Sequence, residues 1–115
     1  MRVIIAGGRD FNDYDLLVKK CDYFLQDQDD ITVVSGEARG ADKLGEKYAK
    51  ERGYNVDRFP ANWDKYGKGA GPIRNKQMAE HADSLILFWD GKSKGSKNML
   101  ETAKKLRLKI RIINY

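Results

Sequence analysis

Residues Val33 to Asp42 read V-V-S-G-E-A-R-G-A-D: the end of a buried strand, a tight glycine-containing turn and the start of a helix. A strand that delivers its C-terminal end to a helix N-terminus builds an anion site. Free backbone N–H groups point outward there, and the helix dipole favours negative charge. Gly36 and Gly40 permit close backbone approach and positive φ, where a Cβ clashes. Ser35 adds a hydroxyl and Arg39 a forked cation suited to phosphate. Asp42, in the first helical turn, complements the dipole. Taken alone, the stretch also reads as an ordinary strand-to-helix turn whose glycines serve chain geometry. It gains weight because two similar junctions occur elsewhere in the chain.

The first of these lies upstream. Val3 to Ala6 is a continuous apolar run, the mark of a strand covered on both faces, and it stops at Gly7-Gly8-Arg9-Asp10. Asn12 or Asp13 can cap the helix that follows, whose inner face is Leu17, Cys21, Phe24 and Leu25. Asp27, Asp29 and Asp30 then form a solvated turn, with no other ligand type near enough for a metal site. Downstream of the central stretch, a helix from about Gly40 to Arg52 buries Ala41, Leu44 and Tyr48. It stops at Gly53, and a third strand runs from Tyr54 to Phe59 with Val56 in the core. The other junction follows the apolar strand Ser84 to Trp89. It reads D-G-K-S-K-G-S-K from Asp90 to Lys97, offers Gly91, Ser93, Gly95 and Ser96 to an anion, and makes Ser96 the expected N-cap. The last helix buries Met99, Ala103 and Leu106, and Lys109 to Ile113 is the final strand.

Between the third and fourth strands, Pro60 to Gly71 reads as an irregular glycine-rich loop carrying Trp63 and Tyr66, and long loops in compact domains often carry function. Trp63 either stacks on a base or closes over the core; the residues alone leave both open. Pro72 suits the first turn of a helix with Asn75, Met78, Ala79 and Ala82 on its inner face. Arg74 and Asn75, near the start of that helix, are placed to face an anion. His81 has no nearby partner in sequence and reads as structural.

Strands alternate with helices from end to end. That order predicts one α/β Rossmann-like domain over residues 1–115, with a five-stranded parallel sheet in the order 3-2-1-4-5 and helices on both faces. All three glycine-rich junctions then fall at the C-terminal edge of the sheet and converge on one ligand.

Composition narrows the classes. The 115 residues are 41% hydrophobic and 34% charged, a globular and not a disordered composition. The only cysteine, Cys21, excludes an intrachain disulfide and is compatible with a reducing cytoplasm. The opening apolar run is too short for a signal-peptide core or a membrane span. Net charge is +5, carried unevenly: residues 1–57 hold 9 basic and 12 acidic groups, and residues 58–115 hold 13 and 5. A basic C-terminal half suits an anionic partner and reads equally as a lysine-rich solvated surface.

Taken together, G-G-R-D-F (Gly7 to Phe11), S-G-E-A-R-G-A-D (Ser35 to Asp42), G-P-I-R-N-K-Q-M (Gly71 to Met78) and W-D-G-K-S-K-G-S (Trp89 to Ser96) resemble the SLOG superfamily of Rossmann-like nucleotide-binding proteins. The match is to its small single-domain members, related to the LOG hydrolases and to the DNA-processing DprA proteins. The resemblance implies a ligand bearing ribose and phosphate, held by the Ser35–Gly40 turn and the Gly91–Ser96 loop, and a homodimer or higher assembly. It implies no separate cofactor. In one respect the chain departs from the LOG hydrolases, which cleave nucleoside monophosphates to base and ribose phosphate. Their second loop reads G-G-x-G-T-x-x-E, and its glutamate carries the chemistry. Aligning Gly95-Ser96 on the G-T pair puts Met99 at that position. A methionine neither accepts a proton nor stabilises an oxocarbenium-like charge. Glu101 lies about 200° further round the helix by its ~3.6-residue period, leaving Glu37 as the candidate acid or base at the mouth.

Three functions follow. The leading one is binding or sensing of a nucleotide-type ligand. The second is N-glycosidic or phosphoribosyl hydrolysis using Glu37. The third is single-stranded nucleic-acid binding, against which the basic residues are mostly lysines scattered without interleaved aromatics.

Overall fold

A computed structural model describes residues 1–115. The elements in chain order are β1 (Arg2–Gly7), α1 (Tyr14–Leu25), β2 (Thr32–Ser35), α2 (Ala41–Arg52), β3 (Asn55–Arg58), α3 (Trp63–Tyr66), a 3-10 turn (Gly67–Gly69), α4 (Ala70–His81), β4 (Ser84–Trp89), α5 (Lys94–Lys105) and β5 (Lys109–Asn114). All four strand pairs are parallel, and the sheet order is β3-β2-β1-β4-β5. This is the α/β topology read from the sequence.

The central strand explains how one sheet serves two layers. Side chains alternate across a strand, so Val3 and Ile5 face one way and Ile4 and Ala6 the other. The first pair joins Leu17, Cys21 and Leu25 of α1 and Ala41, Tyr48 and Ala49 of α2 in one core. The second pair joins Met78 of α4 and Met99, Leu100 and Ala103 of α5 in the other. Helices α1 and α2 thus cover one face, and α4 and α5 cover the other. Each large apolar side chain taken from water into these layers contributes about 1.5–3 kcal/mol.

Asp13 caps α1, its carboxylate accepting from Leu16 N at 3.1 Å. At the edges of the sheet, burial is less than the sequence suggests. Val56 on the edge strand β3 is half-buried, as are Phe24 and Leu44 on their helices. Leu106, expected in the core, is 42% exposed; it is the C-cap of α5, where the chain leaves the helix. The expected loop over Pro60 to Gly71 is largely helical. Asn62 caps α3 by accepting from Lys65 N at 3.1 Å, and a 3-10 turn carries the chain directly into α4. No helix is long and apolar enough to cross a membrane.

Candidate functional site

The turn that follows β2 is tied to two other elements. Ser35 is fully buried; its hydroxyl donates to Glu46 Oε2 at 2.6 Å and accepts from Glu37 N at 3.1 Å. Glu37 adopts the left-handed conformation (φ +61°), which turns the chain sharply toward α2. Gly36 leaves room for its neighbours: a Cβ there lies 2.6 Å from Arg74 Nη1 and 2.8 Å from Asp42 Oδ2. Arg74, on α4, donates to the Gly36 carbonyl at 2.5 Å and to Asn75 Oδ1 at 3.1 Å. Gly40 (φ +78°) lies against the first junction, where a Cβ falls 2.2 Å from Gly8 O. Ala41 N donates to that same oxygen at 3.2 Å. The β1 and β2 junctions therefore touch, as their shared position at the C-terminal edge requires.

Asp42 is the buried charge of the site. Burial pushes its carboxyl up to about 6, opposed by Arg74 and by the backbone N–H groups of Ala38 and Gly36. Arg74, itself half-buried, is shifted the other way: burial and the nearby Arg9 lower its proton affinity, and Asp42 raises it.

A cavity of about 570 Å³ opens over the sheet edge between α4, α5 and the β1 junction. That volume lies within the ~300–1,000 Å³ typical of small-molecule sites. Its wall includes Gly7, Gly8, Arg9, Asp42, Arg74, Asn75, Ser93, Gly95 and Ser96, all singled out from sequence. Ser93, not Ser96, caps α5, its hydroxyl accepting from Ser96 N at 3.4 Å. The cap is set by Asp90, whose Oδ1 accepts from Lys92 N and Ser93 N at 2.8 and 2.9 Å. Ser96 is left in the first turn of α5, 4% exposed, with a buried hydroxyl that has no hydrogen-bond partner. Asn75 reaches across from α4 and donates to Asn98 Oδ1 at 2.9 Å and Gly95 O at 3.3 Å, joining the two helix starts.

Met99 is buried in the same wall. Glu101 is exposed and is not part of that wall. Sequence reading passed over Asp10, Lys68, Asp90, Lys94 and Asn98 as site residues, and all five line the cavity. Trp63 stands on the rim, 51% exposed, and so does not close over the core. A second hollow of about 490 Å³ adjoins the first and shares Arg9, Ala38, Trp63 and Arg74 with it. Gly36, Glu37 and Arg39 line this second hollow. Ser35, Gly40 and Gly91 line neither. Glu37 there lies 4.0 Å from Lys43 Nζ and 3.5 Å from Arg58 Nε. His81 is structural: its Nε2 pairs with Asp57 Oδ2 at 2.6 Å, and its ring packs on Phe59.

The sequence profile of YAcAr, the YspA, cpYpsA-related SLOG family, matches residues 1–66. The chain belongs to this SLOG family. The matched residues carry the β1 and β2 junctions, and the α4 and α5 walls lie beyond them. A curated relative, the Gene 61 protein of Mycobacterium phage D29, is 33% identical over a 124-residue alignment covering 99% of this chain and 95% of that protein. The fold is shared with DNA processing protein A (DprA) from Streptococcus pneumoniae, at a TM-score of 0.77 and 20% identity over 99% of this chain. This chain spans 50% of that protein. DNA processing protein A from Helicobacter pylori superposes at a TM-score of 0.67 with 19% identity, over all of this chain and 66% of its own length.

Proposed function

We propose that this SLOG domain, residues 1–115 acting as one unit, binds a nucleotide in the 570 Å³ cavity with its phosphate at the start of α5. The observation that carries this reading is the Ser96 hydroxyl, buried in the cavity wall without a partner. A buried polar group left unsatisfied costs about 1–3 kcal/mol, and a ligand oxygen removes that cost. The hydroxyl sits in the first turn of α5, where backbone N–H groups lack intrahelical acceptors and the dipole favours an anion. Lys94, Lys68, Arg9 and Arg74 line the same cavity. The exposed indole of Trp63 on the rim offers a face for a base.

The carboxylates support binding over glycosidic cleavage. Asp10 accepts from the Tyr115 hydroxyl at 2.6 Å, Asp90 holds the α5 cap, and Asp42 is engaged by Ala38 N and Arg74. Glu37 faces the adjoining hollow between Lys43 and Arg58. The position that aligns with the LOG glutamate is the thioether of Met99.

Calorimetric titration with AMP tests the site. We expect saturable binding that Ser96→Ala weakens about tenfold, the ~1.4 kcal/mol of one charge-assisted hydrogen bond. Unchanged AMP affinity in Ser96→Ala removes the phosphate from α5.

A second reading is single-stranded DNA binding, supported by the shared fold: the Helicobacter pylori structure concerns a single-stranded DNA binding mode. The two separate on salt. A strand whose phosphates are neutralised at several contacts loses roughly 0.7 log units of affinity per contact per decade of salt, and a pocket for one nucleotide loses far less. Self-association into a homo-oligomer is part of the proposal, and sedimentation of the chain tests it.

A further inference from the structure

We infer that the ligand carries a second anionic group, seated in the adjoining 490 Å³ hollow, and that the bound molecule is a nucleotide with two phosphate groups, of the 5′-phosphorylated dinucleotide class. This rests on the nucleotide reading above and extends it.

Four cationic side chains, Arg9, Arg39, Lys43 and Arg74, line the second hollow against one carboxylate, Glu37. That carboxylate is already bracketed by Lys43 at 4.0 Å and Arg58 at 3.5 Å, and Arg74 is held by Gly36 O. Arg9 and Arg39 are different. Both are exposed, and neither makes a side-chain hydrogen bond or ion pair within the chain. They spring from neighbouring points, because the β1 and β2 junctions touch: a Cβ on Gly40 lies 2.7 Å from the Arg9 carbonyl carbon. Two exposed, unpaired guanidinium groups on abutting loops present planar forks that suit a phosphate.

A nucleoside monophosphate does not use this arrangement. Its single phosphate has a place at α5, and the first cavity has the volume of a complete small-molecule site. The second hollow is reached over the shared rim of Trp63 and Ala38. A base stacked on Trp63 sends the phosphate on one side of its sugar toward α5 and the phosphate on the other side toward Arg9 and Arg39. Two phosphates flanking one nucleoside are what a 5′-phosphorylated dinucleotide supplies.

The probes are AMP, the dinucleotide pApA and the corresponding 5′-phosphorylated hexanucleotide. Each is titrated calorimetrically at one salt concentration into the unmodified chain, Arg39→Ala and Lys43→Ala. Arg39 is exposed and unbonded, so its loss leaves the fold in place; circular dichroism checks this. We expect pApA to bind at least about tenfold tighter than AMP, the equivalent of ~1.4 kcal/mol. We expect the hexanucleotide to add little beyond pApA, and the ratio of the AMP and pApA dissociation constants to fall toward one in Arg39→Ala. Equal affinities for AMP and pApA overturn the second subsite and leave the nucleotide site standing. A ratio untouched by both substitutions overturns its location. Affinity that climbs steadily to the hexanucleotide overturns the two-anion ligand in favour of a continuous strand. Binding of none of the three overturns the nucleotide reading and this inference together.

Discussion

Arg74 Nη1 donates to the carbonyl oxygen of Gly36 at 2.5 Å, across 38 positions of sequence. The bond fastens α4 to the turn after β2 and holds a cation over the buried carboxylate of Asp42, between the two hollows.

Removing that guanidinium should be felt twice. Arg74→Ala leaves Gly36 O without its charged donor and Asp42 without its compensating charge, a loss of about 1.5–3 kcal/mol in urea unfolding. AMP affinity should fall as well, because Arg74 lines the cavity. Arg74→Lys should recover little, since an ammonium lacks the planar fork that bonds Gly36 O from Nη1 and Asn75 Oδ1 from Nε. Full recovery of stability by the lysine would show that charge alone matters at this position.

The carboxyl of Asp42 gives stability a pH signature. Burial raises it from 3.8 to about 6 in the folded chain, so between those values the folded state binds more protons than the unfolded one. Stability attributable to Asp42 therefore falls as pH rises from 4 to 6 and is flat above. At about 1.4 kcal/mol per tenfold change in proton affinity, the fall is roughly 3 kcal/mol. Asp42→Asn, whose amide oxygen can still accept from Ala38 N, should abolish that slope. The check is the difference in unfolding free energy between the two proteins from pH 4 to pH 7.

Ser96→Ala should separate stability from binding. Deleting a buried hydroxyl that has no partner removes a desolvation cost of about 1–3 kcal/mol, so the melting temperature of the free protein should rise. The same substitution should weaken AMP binding. A melting temperature that falls would show that the hydroxyl is satisfied in solution.

Gly40 and Gly91 form a matched pair. Both have positive φ, +78° and +84°, but a Cβ on Gly40 lies 2.2 Å from Gly8 O, and one on Gly91 meets nothing within 4 Å. Gly91→Ala should lose only the backbone strain of roughly 1–3 kcal/mol. Gly40→Ala should lose that and also force the β1 and β2 junctions apart. Urea unfolding ranks the two, and AMP affinity should drop only for Gly40→Ala.

Incubation with AMP should release no adenine above the uncatalysed background, and Glu37→Gln should leave that result unchanged. General acid–base assistance is worth about 10²–10⁴-fold, and the position aligned with the LOG glutamate holds Met99. Chromatography of the product decides it.

The three inner strands announce themselves: Val3 to Ala6, Val33 to Val34 and Leu85 to Trp89 are apolar runs because helices cover each side. The edge strands do not, since β3 and β5 are half-solvated and their patterns mix charge with apolar residues. That is why Val56 reads as core and is half-buried. The helical nature of Trp63 to Gly71 was masked by Gly67, Gly69 and Gly71, each costing about 1 kcal/mol of helix propensity; the cap residue Asn62 was the legible sign. Ser93 and Ser96 stand three apart, and either can cap a helix by spacing. The choice was made by the turn at Asp90. Asp10 and Asn98 adjoin the first and third junctions in sequence, whereas Lys68 reaches the cavity only through tertiary juxtaposition, which no local pattern records.

The short helix α3 and the 3-10 turn after it bury no residue, yet they carry Trp63 and Lys68 on the cavity wall. Substitutions here touch neither layer of the core, so this stretch can drift while the sheet beneath stays folded. Ligand preference can therefore change through α3 and the turn without disturbing the contact between the β1 and β2 junctions beneath them.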